Sequence, residues 1–180
     1  ARKLLSVVRY YRRRHELLEA AGQGPYRMTS KGAWAASRAA HVYYFMRRLG
    51  VETDRLLLDL GSGDGLVACI GGLFTRTVGI EADPELCRDA AAAVRSLGLE
   101  DRVGILCGDY LTLDLRRADS LYIYPDKPFH SLEPMLSSWG GRLLVYGPHM
   151  PPKCLAPDVS LRCGRERLQV YRALSPPAHG

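Results

Sequence analysis

The chain has 180 residues, a formal net charge of +6 and 47% apolar side chains. That length suits one domain able to bury a core, and the composition excludes a disordered tail or a disulfide-built scaffold. The longest apolar run, Leu66 to Phe74, falls far short of the roughly 20 residues a membrane helix needs, so no membrane partner is expected. Arg2 and Lys3 are not followed by the apolar core and small-residue cleavage site of a secretory leader. The five cysteines form no CxxC pair and the histidines are scattered, so reduced thiols, a cytoplasmic setting and no metal site are expected.

The charge is unevenly placed. Residues 1–50 carry +9 and the remainder −3. Arg2, Lys3, Arg9 and the run Arg12-Arg13-Arg14, flanked by Tyr10 and Tyr11, make segment 2–14 a candidate surface for an anionic partner, either nucleic acid or an acidic protein. A solvated helix face would have the same composition.

In chain order, Leu4, Leu5, Val8, Tyr11, His15 and Leu18 recur at helical spacing, so a helix is predicted over Lys3–Ala20. Thr29 and Ser30 are candidate caps for a second helix, Lys31–Leu49, closed by Gly50. Short apolar runs then alternate with helical patches. Strands are predicted at Arg55–Leu60, Thr77–Glu81, Val103–Cys107, Ser120–Tyr124 and Arg142–Gly147. Helices are predicted at Leu66–Phe74, Pro84–Leu97 and Leu132–Trp139. Four prolines between 148 and 157 argue against a helix there, and Val159–Cys163 with Arg167–Ala173 reads as a hairpin through Gly164-Arg165. The alternation predicts an α/β fold: a doubly wound, Rossmann-like, mostly parallel sheet with a C-terminal antiparallel hairpin and N-terminal helices. Residues 1–50 are read as a basic helical segment on the substrate side and 51–180 as the ligand-binding domain, together one compact unit.

The most informative stretch is Leu58-Asp59-Leu60-Gly61-Ser62-Gly63-Asp64-Gly65, between the first predicted parallel strand and a helix. Ligands of such sheets bind at the carboxyl ends of the strands, where glycines let them approach the backbone. The dinucleotide fingerprint fails because position 66 is Leu, and no Gly-Lys-Ser/Thr is present. The loop holds Asp59 and Asp64 but no cation, which opposes a phosphate. A ligand with ammonium and sulfonium groups, such as S-adenosylmethionine, suits it better. Glu81 ends the second strand, where a carboxylate can accept from ribose hydroxyls. Asp109 follows the third strand, where an acid can accept from an adenine amino group.

DLGSGDG, GIEAD and GDY, in this order and spacing, resemble the class I S-adenosylmethionine-dependent methyltransferases over about residues 55–147. The resemblance implies that Asp59, Gly61, Ser62, Gly63 and Gly65 line the methionine end of S-adenosyl-L-methionine. It implies that Glu81 holds the ribose and that Ala82 lies against the adenine. Asp109 and the adjoining Tyr110 complete the adenine side.

In this family the acceptor sits beyond the fourth strand, here Tyr124-Pro125-Asp126-Lys127-Pro128-Phe129. Two readings stay open. Asp126 to Phe129 is similar to the D-P-P-F/Y motif of enzymes that methylate planar amino groups of nucleic acids or glutamine, with Lys127 as the departure. The overall plan resembles the small archaeal and eukaryotic protein-lysine methyltransferases. There, the Pro25–Thr29 segment, the Gly61–Gly65 loop and a bare hairpin after strand five would go with Tyr124 and Asp126 caging and deprotonating a lysine. The macromolecular acceptor favoured is a protein lysine, with an RNA or DNA base amine as the alternative. A non-catalytic cofactor-binding subunit and an NAD-dependent dehydrogenase are alternatives of other classes.

Overall fold

The computed structural model describes residues 2–24, 26–29, 32–35, 37–147 and 150–173. The chain begins with helix α1 (Arg2–Ala20), strands β1 (Tyr26–Thr29) and β2 (Gly32–Ala35), and helix α2 (Ala39–Arg48). It continues as β3 (Leu56–Leu60), α3 (Leu66–Gly71), β4 (Arg76–Glu81), α4 (Pro84–Ser96) and β5 (Val103–Cys107). Then come β6 (Ser120–Ile123), α5 (Glu133–Leu136), β7 (Arg142–Tyr146), β8 (Leu155–Cys163) and β9 (Glu166–Ala173).

The main sheet has seven strands in the order β5-β4-β3-β6-β7-β9-β8. Strands β3 to β7 run parallel and β9 runs against both of its neighbours. Strand β8 is therefore parallel to β7. Between them Met150 and Cys154 pack on the core, and Glu133 accepts from the Lys153 amide at 3.0 Å. The prolines expected to prevent a helix here do so among the described residues 150–154.

Alternate residues of each strand face opposite layers. Leu57, Tyr122, Leu144, Tyr146 and Leu168 pack with Val7 and Tyr11 of α1, with Val42, Phe45 and Met46 of α2, and with α3. Leu58, Leu121, Ile123, Leu143 and Val145 pack on α5 and the turns before it. At the amino edge, Arg142 binds both Asp54 carboxylate oxygens at 3.0 and 2.9 Å, the Ser120 hydroxyl at 2.8 Å and the Leu49 carbonyl at 2.8 Å. This network ties β6 and β7 to the turn before β3, at the opposite edge from the glycine loop.

The second predicted helix is corrected. Only its later part, Ala39–Arg48, is helical, while residues 26–29 and 32–35 pair as an antiparallel hairpin. Thr29 ends β1 rather than capping a helix, and its fellow candidate Ser30 lies outside the described residues. Alanines around Trp34 have high helix propensity, but the pairing of Tyr26 with Ala35 and Thr29 with Gly32 overrides it.

Candidate active site

The site is built on the turn leaving β3. Gly61, Gly63 and Gly65 all have left-handed φ values of 73°, 55° and 84°. Gly65 also abuts α4, where a Cβ would stand 2.8 Å from that of Ala90. The amides of Gly61 and Ser62 donate to the Ile80 carbonyl at 2.9 and 3.0 Å, which locks the turn to β4. Across the turn, a Cβ on Gly79 would lie 2.7 Å from the Ser62 hydroxyl, so glycine there makes room for Ser62.

Three carboxylates surround this turn, and each is handled differently. Glu81 accepts from the Gly63 amide and the Asp83 amide, both at 2.8 Å. A carboxylate offers about four acceptor positions, which leaves capacity for ribose hydroxyls. Asp64 is 2% exposed and is compensated by α1: Arg14 Nε lies at 3.3 Å and His15 Nε2 at 3.2 Å. Tyr11 of the same helix donates to the Asp64 carbonyl at 3.0 Å. Burial opposes the Arg14 charge, but Asp64 and Asp89 outweigh it and hold the guanidinium above its ordinary value. Asp59 is also 2% exposed, yet its Oδ2 has no hydrogen-bond partner among the described residues. Burial first, then the Glu81 charge, push the Asp59 carboxyl up to about 8.

These contacts correct two sequence readings. Asp64 is not a bare loop charge, because Arg14 pairs with it and His15 Nε2 contacts it. The arginine run is not one surface either: Arg14 turns inward, while Arg12 pairs with Glu16 at 2.9 Å on the exposed face and Arg13 is exposed.

On the adenine side, Asp109 caps a short turn by accepting from the Leu111 amide at 2.9 Å. Ala82 and Tyr110 are half-buried nearby. Burial raises the Tyr110 hydroxyl, and the Asp126, Asp109 and Glu81 carboxylates add to the effect. Tyr110 thus links the ends of β4 and β5 to the segment after β6. There Tyr124 is 48% exposed, with its ring 5.1 Å from that of Tyr146. Asp126 is exposed.

Asp59, Gly61, Ser62 and Tyr124 line one cavity of about 30 Å³, joined by Tyr122 and by Ser37 from the segment before α2. Glu81, Ala82, Asp109, Tyr110 and Asp126 lie outside its lining. Sequence reasoning put Tyr124 forward and missed Tyr122, Tyr146 and Ser37. The Tyr122-Ile123-Tyr124 spacing, which puts both rings on one face of a strand end, was the available signal.

These features fit the methionine end of S-adenosylmethionine. The turn itself carries no cation to meet a phosphate, and the neighbouring Arg14 is taken up by Asp64 and Asp89. Asp59 Oδ2 and Ser62 Oγ are buried acceptors without partners among the described residues, and Gly61 has open space where a side chain would stand. Sheet order, glycine turn and strand-end acids together define a class I, Rossmann-like, S-adenosylmethionine-dependent methyltransferase domain. The chain belongs to the protein-L-isoaspartate(D-aspartate) O-methyltransferase family, whose sequence profile matches residues 13–112.

Known proteins agree on this class. A sterol 24-C-methyltransferase from Eremothecium gossypii is 32% identical over 94 residues, 51% of this chain, and the match spans only 25% of that relative's length. The structure of an RNA methyltransferase from Salinibacter ruber, in complex with S-adenosyl-L-homocysteine, is similar with a TM-score of 0.66 and 26% identity, covering 80% of this chain and 97% of that one. A methyltransferase from Geobacter sulfurreducens shares the fold with a TM-score of 0.65 at 18% identity, covering 89% of this chain and 86% of that one. Among the described residues, no helix is long and apolar enough to cross a membrane, and no group of three His, Cys, Asp or Glu side chains could hold a metal ion.

Proposed function

We propose that this domain methylates the side-chain amine of a protein lysine. The observation that carries the reading is the exposed Tyr124 ring beyond β6, 5.1 Å from that of Tyr146, with Asp126 exposed two residues further on. Aromatic faces attract a cationic amine, and nearby carboxylates add to the attraction. An isoaspartyl carboxylate, the acceptor in the family's name, would meet repulsion from the Asp126 carboxylate. S-adenosylmethionine supplies a methyl on a sulfonium, which an amine lone pair displaces in line as the carbon–sulfur bond breaks to leave the thioether.

The chain's own residues have three tasks in this reading. Glu81, Ala82, Asp109 and Tyr110 hold the nucleoside, while Asp59, Gly61, Ser62, Gly63 and Gly65 hold the amino-acid end. The Tyr124 ring, backed by that of Tyr146, strips water from the incoming ammonium, which favours its neutral form. Asp126 takes the proton that leaves the nitrogen, so that the lone pair is free to attack. Residues 1–50 form the acceptor side of one compact unit.

A second reading, a base amine of RNA, draws on the Salinibacter ruber relative and on the outward-facing Arg12 and Arg13. One pair of variants tests the lysine reading. Asp126→Asn should lower transfer to a lysine peptide by about 100-fold or more, in keeping with general acid–base contributions, Tyr124→Ala should lower it by removing the ring, and both should leave S-adenosylhomocysteine affinity unchanged. Unchanged transfer by both would remove them from the acceptor side.

A further inference from the structure

Tyr122 is a residue that the cofactor reading leaves unused. It is 2% exposed, and its Cα pairs with that of Asp59 across β3 and β6. Its ring packs in the core, 6.3 Å from that of Tyr146, a task phenylalanine would do as well. Its hydroxyl has no hydrogen-bond partner of good geometry among the described residues, and the Ser37 side chain is its polar neighbour. A buried, unpaired hydroxyl costs stability, so the oxygen calls for an explanation. Two further buried oxygens share its situation, Asp59 Oδ2 and Ser62 Oγ, and all three residues line the same cavity of about 30 Å³. That is room for one small polar group.

We propose that Tyr122 is a cofactor-binding residue whose hydroxyl completes, with Ser62 Oγ and Asp59 Oδ2, a three-acceptor cradle for the ammonium at the amino-acid end of S-adenosylmethionine. A primary ammonium has three N–H donors, and the cradle has three acceptors from two adjoining strands and one turn. Burial, with the Asp59 charge second, holds the Tyr122 hydroxyl well above its ordinary value. It therefore stays neutral and keeps its lone pairs for the ligand. The inference rests on the cofactor reading above.

The test is calorimetry on wild type and Tyr122→Phe with two ligands, S-adenosylhomocysteine and 5′-methylthioadenosine, which lacks the amino-acid end. Thermal melting of the ligand-free proteins accompanies it. The expected result is about tenfold weaker binding of S-adenosylhomocysteine, as for one lost hydrogen bond to a charged group, with methylthioadenosine unaffected. The ligand-free variant should melt no lower than wild type, because the lost hydroxyl had no partner. Ser62→Ala, which leaves the sheet intact, should show the same split between ligands. Unchanged S-adenosylhomocysteine affinity in Tyr122→Phe overturns the proposal, and so does equal weakening of both ligands, which would make the role structural. Wild type binding neither ligand would instead overturn the cofactor reading, and this inference with it.

Discussion

The Arg14 guanidinium lies 3.3 Å from the Asp64 carboxylate and reaches Asp89 at 2.7 Å. One arginine of the N-terminal helix thereby ties the glycine turn to α4. Asp64 is 2% exposed, and its carboxylate is met by this partner and by His15 Nε2 at 3.2 Å. The helix is thus a wall of the cofactor site as well as a basic surface.

Replacing Arg14 by Met should cost about 2 kcal/mol of stability, below the range for a fully buried pair because Arg14 is 20% exposed. It should also weaken S-adenosylhomocysteine binding, since the Gly61–Gly65 turn loses its brace. Arg12→Ser with Arg13→Ser should change neither, because both side chains face solvent. Urea unfolding and calorimetry on the two variants separate the roles. Equal effects from both would mean that the run acts as one surface.

The pH dependence of cofactor binding should follow Asp59. Its carboxyl is raised from 3.8 to about 8, so it costs the fold nothing in acid and weakens it progressively as pH rises toward 8. An ammonium at its side favours the carboxylate, so binding below pH 8 releases a proton. S-adenosylhomocysteine affinity should therefore rise with pH, at most about tenfold per pH unit, and level off above 8. Glu81, Asp64 and the Tyr122 hydroxyl also face Asp59, and Arg14 and His15 face Asp64. Calorimetry across pH should accordingly give a flat profile for Asp59→Asn and an unchanged slope for His15→Asn. The reverse pattern would assign the proton to His15.

Gly65→Ala meets two obstacles at once, a φ of 84° and a contact of 2.8 Å with the Ala90 Cβ. It should destabilise by about 3 kcal/mol, combining left-handed strain with overpacking. Gly98→Ala has a φ of 60° but open space, so about 1 kcal/mol is expected from strain alone. Denaturant midpoints check the difference, and equal losses would mean that α4 yields to the added methyl.

Much of the α/β architecture was readable in advance because its signals are local. Pro84, with Asp83 accepting from the Glu85 and Leu86 amides, marks the start of α4. The strand predicted at Val103–Cys107 has the observed bounds. The β1–β2 hairpin was not readable, since its residues favour helix locally and only pairing decides between the two. The strand-end acids and glycines of the candidate site could be picked out from their order along the chain. Their compensation could not: Arg14 and Asp64 are 50 residues apart, and nothing in either segment announces the other. The Tyr122 hydroxyl was hidden for a similar reason. A tyrosine in an apolar strand reads as core, and only the fold shows that its oxygen is left without a partner.

The most direct test of the account is transfer of labelled methyl from S-adenosylmethionine into cell extract by the purified domain, followed by protease, nuclease or mild base. The account predicts label that protease releases, that withstands base, and that runs as N-methylated lysine after acid hydrolysis. Label removed by nuclease would transfer the site to a nucleic-acid amine, and label lost to mild base would reveal a carboxyl ester; either result contradicts the lysine assignment.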